Sequence, residues 1–582
     1  MGGPTEPWYR TDRARLIATG VILGVSALAL AWPLLSVEWL PFVDYPQHLG
    51  TVAAIHGQGD PTWSEYFVVE YSRSQYLLLY VLSDVLAYGL GVEGAARLTA
   101  VLSIAGLPLA LALYLQQSGR DPILGAAAVA VALHVYVFWG FLNYAAGIAM
   151  GLVALAAFAR LCRQPTSRNA VLFGLGALLT FYTHAQVYLW LAVACLVTLL
   201  AIAPKVGRAQ ALGVLWRAAA GAAPSVLGML YWLNASDVVA HGEAGARSGH
   251  AAQVTEDPAQ FAQVQDTLRG FWGHSFETFS DGAGIWIAAA FFGVVMVLVA
   301  LRGIGGRATA EGEPAVEEPR PQGKGKGKGK GKGGGDEDGA EGSGAASRWA
   351  RFRVWLRGSP APRVVSFGPE AVLVATFALY LFAPVSYRLI QPISHRFLPL
   401  ALALLVALGP RGRLPDRVRL GLGALLVALS LFVGIAHTER FALLDEEMGE
   451  LDAALEHTEP GGRMLGLIHD QRSEVVPFAT YLHAHQYYQA RVGGMAAFSF
   501  VEFPKSPVQW RRENAPPPFP PRFEWTPQRY DHTTWGDSFD YWLVRHAPGR
   551  PPVNPLRLRP NTPNAPEPVF ESSRWTLYAL PD

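Results

Sequence analysis

Cysteine and charge are both scarce in this chain of 582 residues. The two cysteines, Cys162 at the end of one apolar segment and Cys195 inside another, favour neither a disulfide framework nor a zinc cluster. Only 16% of the residues are charged whereas 51% are hydrophobic, a composition typical of integral membrane proteins. The formal net charge of +1 gives no general basic character that would indicate a nucleic acid as partner.

Metal-binding spacings are also missing. No two histidines have the separation of a helix-borne zinc motif. His483 and His485, in "YLHAHQYY", are two residues apart, which places them on different faces of a helix. The sequence therefore predicts no metal site, and a divalent metal ion is the one cofactor left open.

Long apolar segments are what the sequence has in abundance. Several approach the ~20 residues that span a bilayer. They are residues 16–35, 98–116, 122–139, 144–161, 170–184, 185–203, 211–232, 283–302, 368–388, 395–410 and 417–437. We predict a mainly α, polytopic membrane bundle of about 11 spans with a cytoplasmic N-terminus, because alternate loops then carry nearly all the Lys and Arg residues. The first segment has no clear cleavage site, which favours a retained anchor over a signal peptide.

Residues 76–91 are a further apolar segment, but counting it as a span would reverse the charge pattern of every later loop. It contains Asp84, and a carboxylate at the centre of a bilayer costs roughly 2.5–3.5 kcal/mol. We therefore predict a helix at the outer interface or buried against the bundle. The alternative is a true span with Asp84 facing a polar cavity.

Changes in composition divide the chain into four parts. Residues 1–302 form a first membrane part with a first external loop at 36–97, and residues 303–366 are a Gly/Lys-rich insert predicted to be disordered and cytoplasmic. Residues 367–437 hold the last membrane helices. Residues 438–582 are predicted to form a small external α/β domain, with helices at 441–457 and 478–489 and strands at 464–469, 541–545 and 575–580.

Polar and aromatic residues collect at the predicted outer ends of the membrane helices, where a polar cavity is expected. The candidate substrate-binding residues are Tyr45, His48, Arg73, Asn143, His184, Arg388, His395 and Arg396. Singly, such residues are also explained as interfacial aromatic residues, hydrogen-bonded helix histidines or arginines reaching the headgroups. Arginines on a side that otherwise lacks them favour an anionic ligand such as a phosphate.

Asp44 follows the first apolar segment directly, in "PFVDYPQHLG". Pro41 and Pro46 flank it and restrict the backbone, so that the side chain can be aimed. An acid at the mouth of an apolar cavity is suited to act as a general base. Alternatively, Asp44 caps a helix over residues 46–56.

Three stretches resemble the GT-C superfamily of membrane glycosyltransferases: "DYPQHL", "GFLNY" and an interfacial segment that ends at Gly91. After Gly91 come a small acidic turn with Glu93 and then Ala96 and Arg97, which open the next span. That superfamily includes protein O-mannosyltransferases and lipid A aminoarabinose transferases. Its members carry a catalytic acid just after the first span, the position that Asp44 occupies here.

One feature departs from the superfamily pattern. Many members carry two adjacent acids, whereas Tyr45 and Pro46 follow Asp44 here. A second carboxylate would have to come from Glu65 or Glu70, so metal dependence is in doubt.

The resemblance implies transfer of a sugar from a polyprenyl-phosphate donor to an acceptor glycan, lipid or protein at the outer face of a bacterial inner membrane. Asp44 would deprotonate the acceptor during an inverting attack, and Arg388, Arg396 or Arg73 would meet the charge on the leaving lipid phosphate. The alternative is a non-catalytic polyprenyl- or glycolipid-binding membrane protein or a transporter, although the internal repeats typical of transporters are not evident.

Overall fold

The computed structural model describes residues 12–241, 259–303, 368–387, 391–502, 506–520, 522–550, 554–555 and 567–579. The predicted insert at 303–366, apart from its first residue, lies outside the described residues.

The described chain is mainly helical. The helices of its first half are α1 (Asp12–Leu35), α2 (Tyr45–His56), α3 (Pro61–Ser64), α4 (Leu77–Gln117), α5 (Val129–Ala132), α6 (Val135–Phe138), α7 (Leu142–Arg163), α8 (Ser167–Thr183), α9 (Ala185–Val206) and α10 (Arg208–His241). Those of the second half are α11 (Val264–Arg269), α12 (Ala283–Ala300), α13 (Gly368–Phe382), α14 (Phe397–Leu404), α15 (Asp416–Met448), α16 (Leu451–Leu455), α17 (Gln486–Arg491) and α18 (His532–Trp535).

Within the described residues, seven helices are long and apolar enough to cross a membrane, namely α1, α4, α7, α9, α10, α12 and α15. This confirms a multi-pass helical bundle. The other segments predicted to span form shorter helices: α8 has 17 residues, α13 has 15, and two further stretches are Pro122–Ala132 and Ser394–Leu408. The number of crossings therefore stays a prediction.

The segment 122–139, predicted as one span, is not one continuous helix. The Asp121 carboxylate accepts a hydrogen bond from the Ile123 amide at 3.2 Å and starts a 3₁₀ segment. The His134 ring then accepts one from the Tyr136 amide at 3.2 Å and starts α6. The His134 cap thus divides the segment into two pieces, Pro122–Ala132 and α6, because it satisfies an amide at a new helix start.

The segment 76–91 is helical, as predicted, and forms the first arm of α4. Gly91, with φ 69° and ψ 165°, interrupts the helical geometry and separates this arm from the longer second one. Asp84 pairs with His56 at 2.9 Å, with both side chains partly exposed. This pairing gives the carboxylate a partner from α2, while the depth of the arm in a membrane stays a prediction.

The two ends of the bundle differ in charge. At one end, the starts of α1, α13 and α15 meet the end of α4 through ion pairs. We call this the Glu370 end and define it by Arg15, Arg120, Asp121, Glu370, Arg411, Asp416 and Arg419. At the other end, which we call the Asp44 end, α1 gives way to the loop before α2.

The C-terminal region contains a five-stranded sheet, in agreement with the predicted α/β character. Its strands are β2 (Gly462–Ile468), β3 (Gly494–Ala496), β5 (Tyr541–Arg545), β6 (Phe570–Glu571) and β7 (Trp575–Ala579), in the order β3-β2-β5-β7-β6. β2 runs parallel to β3 and β5, and β7 runs antiparallel to β5 and β6. The predicted helix at 478–489 is shorter than expected, since turns precede α17.

This region is joined to the segment between α1 and α4 and does not merely follow the bundle. The loop strand β1 (Phe67–Val69) pairs antiparallel with β4 (Val508–Trp510), so that Phe67 lies opposite Trp510. Helix α15 also continues through the predicted domain boundary at residue 438 as far as Met448. The C-terminal region is therefore held by both the loop and the last long helix.

Candidate active site

The backbone at Asp44 is held by the chain just after α6. The Val43 amide donates to the Phe138 carbonyl at 2.9 Å, and the Asp44 amide donates to the Trp139 carbonyl at 3.3 Å. Gly140 has φ +89°, and a Cβ atom there would lie 2.5 Å from the Asp44 nitrogen. Only glycine combines this conformation with so close an approach, so the broken 122–139 segment shapes the loop that carries Asp44.

The Asp44 side chain is not used as a helix cap. Asp44 occupies the N-cap position of α2, yet its carboxylate makes no capping hydrogen bond. It lies 3.3 Å from Nδ1 of His483 and keeps 16% of its side-chain surface exposed. The backbone amide contacts therefore fix the residue while the carboxylate stays accessible.

His48, one turn along α2, is buried and forms a hydrogen bond through each of its ring nitrogens. Its Nε2 lies 3.0 Å from the Gly140 carbonyl oxygen and its Nδ1 lies 2.9 Å from the Tyr80 hydroxyl. A carbonyl oxygen only accepts, so the proton is on Nε2 and Nδ1 accepts from Tyr80. Burial lowers the pKa of His48, although the nearby Asp44 carboxylate opposes this shift. A neutral His48 thus ties α2 to Gly140 and supports the Asp44 loop.

Arg396 brings a buried guanidinium to the same end of the bundle. Its Cζ lies 4.4 Å from the centre of the Phe141 ring, and Nη2 donates to the Gln391 carbonyl at 3.1 Å. The Tyr144 hydroxyl donates to the Arg396 carbonyl. Arg396 is 9% exposed, its Nε has no hydrogen-bond partner among the described residues, and the Asp44 carboxylate is close enough to attract it.

Other polar atoms around Tyr144 are also buried without a hydrogen bond within the described part of the chain. They include Nδ1 of His184 and Oδ1 of Asn143. The His184 ring lies between Tyr76 and Tyr144, with ring centres 5.4 and 5.3 Å away. Because buried polar groups in proteins are nearly always paired, such a group of orphaned atoms is expected where a polar ligand binds.

Of the predicted side chains, His48 and Arg396 are electrostatic neighbours of Asp44. His184 neighbours Arg396, and Asn143 contacts Tyr80, the partner of His48. Tyr45 is fully buried on another side of α2, where Arg97, Glu93 and Arg491 are its charged neighbours.

Of the remaining predicted site residues, only the side chain of His395 is described. His395 stacks on His274 with ring centres 3.6 Å apart. Arg388 and the side chain of Arg73 lie outside the described residues.

The alternative acids Glu65 and Glu70 flank β1. The backbone carbonyl of Glu65 accepts from Asn514 at 2.8 Å, and the Glu70 amide donates to the Pro507 carbonyl at 2.7 Å. Both residues thus belong to the junction between the first loop and the C-terminal region. Among the described residues, no three His, Cys, Asp or Glu side chains are grouped so as to hold a metal ion.

Three residues of this site were not predicted as members of it. His483 comes from the C-terminal region, Tyr80 from the first arm of α4, and Gly140 from the turn after α6. The "FWGF" stretch offered a signal for Gly140, since a glycine inside an apolar segment often marks close backbone approach. No local pattern points from His483 to a residue 439 positions earlier.

A comparison with protein-family models finds no match, and neither does a comparison with curated proteins. Among solved structures, the chain is similar to the crystal structure of ArnT from Cupriavidus metallidurans in the apo state. The two chains are 14% identical, the match covers 97% of this chain and 98% of that one, and the TM-score is 0.48. This likeness concerns the overall course of the chain and assigns no role to any residue.

Proposed function

We propose that this protein is a membrane glycosyltransferase of the GT-C type, which moves a sugar from a polyprenyl-phosphate donor to an acceptor with Asp44 as general base. The observation that carries the proposal is the Asp44 carboxylate, which is fixed through its backbone, free of any capping role and near a buried guanidinium. A base and a cation at one site match a reaction that removes a proton and releases an anion.

The reaction is an inverting substitution at the anomeric carbon. The acceptor oxygen attacks that carbon while its proton passes to the Asp44 carboxylate, and the bond from the anomeric carbon to the phosphate oxygen breaks. The sugar leaves on the acceptor and polyprenyl phosphate is released. Arg396 faces the negative charge that grows on the leaving phosphate, as charge-assisted donors do in phosphate sites.

The orphaned atoms of His184 and Asn143 supply contacts for sugar hydroxyls. Both are buried beside Tyr144, and Tyr76 offers an aromatic face next to His184. Filling such groups with ligand hydrogen bonds selects against a donor that lacks the matching hydroxyl, because an unpaired buried polar group is costly.

The charge distribution supports an outward-facing site in a bacterial inner membrane. The Glu370 end carries Arg15, Arg120, Arg411 and Arg419, and cytoplasmic loops are the ones rich in Lys and Arg. The Asp44 end and the C-terminal region then lie outside. A lipid-linked donor explains why a sugar transfer takes place in a helix bundle, since its chain dissolves in the bilayer next to exposed apolar helices such as α10.

The test uses the full-length protein in lipid nanodiscs with a panel of radiolabelled polyprenyl-phosphate sugars. Donor binding and sugar release are measured separately for the wild type and for Asp44→Asn, with the same sugars on a nucleoside diphosphate as control donors. We expect the wild type to turn over at least one lipid-linked donor and none of the soluble donors. Asp44→Asn should bind that donor and react about 10²–10⁴-fold more slowly, the usual contribution of a general base.

Two results would contradict the proposal. Donor that binds without turnover in the wild type would place the protein among polyprenyl-glycan binders or carriers. Unchanged turnover in Asp44→Asn would be compatible with a glycosyltransferase but would show that Asp44 is not the general base.

A further inference from the structure

The C-terminal region contributes a side chain to Asp44. Nδ1 of His483 lies 3.3 Å from Oδ1 of Asp44 and 3.2 Å from the Val43 carbonyl oxygen. Both neighbours are acceptors, so Nδ1 must carry a proton. The Nδ1–H bond goes to the Val43 carbonyl, and Oδ1 of Asp44 is a close polar contact of the same nitrogen. The side chain of His483 is 9% exposed, which makes both contacts part of the packed interior.

The position of His483 is fixed by a clamp between the C-terminal region and α2. Nε2 of Gln489 donates to the Gly50 carbonyl at 2.9 Å, and Nε2 of Gln47 donates to the Phe498 carbonyl at 3.0 Å. Nε1 of Trp63 donates to the Gln489 carbonyl at 2.9 Å. These three bonds join the C-terminal region to α2 and α3 and hold the turn that carries His483 against α2.

The clamp is also packed closely. The Phe500 ring lies 4.9 Å from the His48 ring, and a Cβ atom at Gly50 would lie 3.2 Å from both the Gln486 and Gln489 side chains. Interiors of this density transmit small displacements to their neighbours. A shift of the C-terminal region would therefore change the distance between His483 and Asp44.

We propose that His483 is a positioning residue for Asp44, and that the C-terminal region thereby completes the active site. This inference rests on the proposed function, because it concerns the same base. The His483 N–H fixes the Val43 carbonyl next to Asp44, and the 3.3 Å contact of Nδ1 with Oδ1 favours one rotamer of the carboxylate and leaves Oδ2 for the acceptor proton. A catalytic group whose orientation is set by a second residue loses rate, and not substrate affinity, when that residue is removed.

The experiment compares three variants of the full-length protein in nanodiscs. His483→Ala removes the donor, while His483→Asn keeps an N–H close to the position of Nδ1. His485→Gln is the matched control, since buried His485 lies two residues away but donates from Nε2 to the Ala497 carbonyl at 2.7 Å and not to Asp44. Donor affinity and the single-turnover rate are measured for each.

We expect His483→Ala to lower the single-turnover rate about 10- to 100-fold, the order of loss that follows when a catalytic group is misplaced, with donor affinity within about 3-fold of wild type. His483→Asn should recover most of that loss. His485→Gln should react at the wild-type rate. Equal losses in His483→Ala and His483→Asn, or a loss confined to donor affinity, would overturn the positioning role.

A double variant separates action through Asp44 from a general effect on folding. If His483 acts through the carboxylate, His483→Ala should have little further effect in the Asp44→Asn background. The same fold-loss in both backgrounds would overturn the inference while leaving the proposed function intact. A wild type that turns over no donor would instead overturn the proposed function, and a slow Asp44→Asn beside a normal His483→Ala would overturn only the role of His483.

Discussion

The two ends of the bundle bury charged groups in opposite ways. At the Glu370 end the guanidinium of Arg120, which is fully buried, lies 2.7 Å from Glu370, and Arg419 lies 3.1 Å from Asp121. At the Asp44 end Arg396 is almost as buried, yet within the described residues it has no carboxylate within ion-pair distance. The buried cations Arg120 and Arg419 are paired internally at the Glu370 end, whereas Arg396 at the Asp44 end lacks such a partner in the described part of the chain.

This difference separates structural charge from functional charge. Burying an ion costs several kcal/mol unless a partner offsets the lost hydration. The ion pairs of the Glu370 end offset it within the protein and join the starts of α1, α13 and α15. Under the proposed function, the buried guanidinium of Arg396, which has no carboxylate partner in the described chain, is instead what a site for an anionic group requires before the ligand arrives.

Removing a buried arginine from each end should give the largest contrast. Arg419→Gln leaves the buried Asp121 carboxylate without its partner and should destabilise the protein by about 3–5 kcal/mol. Arg396→Gln should change the free energy of unfolding far less and weaken donor binding about tenfold or more. SDS-induced unfolding and donor binding in nanodiscs measure the two effects. Similar stability losses in both variants would remove the distinction between the two ends.

A pair of glycines tests the close approach at Asp44. Gly140 and Gly412 both have positive φ, +89° and +84°, but a Cβ atom meets Asp44 at Gly140 and open space at Gly412. Gly412→Ala should cost about 1–2 kcal/mol, the strain of the left-handed conformation alone. Gly140→Ala adds overpacking of about 1–3 kcal/mol and should also slow transfer. Equal unfolding free energies for the two variants would show that the Asp44 backbone moves away from the added Cβ atom without cost, and would argue against a fixed Asp44 loop.

The free energy of unfolding should fall as the pH is lowered, because neutral histidines are buried around α2. Burial lowers the pKa of His485 to about 3 and also lowers that of His48, so both stay neutral in the folded protein. Below about pH 6.5 the unfolded chain binds protons that the folded chain does not, and stability falls by up to about 1.4 kcal/mol per pH unit for each histidine. Thermal unfolding between pH 7.5 and 4.5 measures this slope. It should be shallower in His485→Gln, and an unchanged slope would argue against burial of a neutral His485.

Apolar patterns predicted most helices because helix burial in a membrane protein depends on runs of apolar residues. The strand at 541–545 was predicted at its observed bounds, since its pattern is local. The break inside 122–139 was missed because it arises at the capping side chain of His134, which the surrounding apolar residues hide.

Contacts across long sequence separations lay beyond any local pattern. The three-residue strands β1 and β4 are more than four hundred positions apart, and each is too short to carry a strand signal. The contact between His483 and Asp44 depends on the same docking. The position of Asp44 at one end of the bundle was predictable, because its neighbours in the chain, the end of α1 and two prolines, already restrict where it lies.

The most direct test of the central claim is a single-turnover measurement on donor already bound to Asp44→Asn and to Asp84→Asn. Both variants neutralise a partly exposed carboxylate that contacts a histidine: Asp44 contacts His483, and Asp84 contacts His56. The account predicts a rate about 10²–10⁴-fold below wild type for Asp44→Asn and a near-wild-type rate for Asp84→Asn. Equal rates in the two variants, with donor bound in each, would contradict a catalytic role for Asp44.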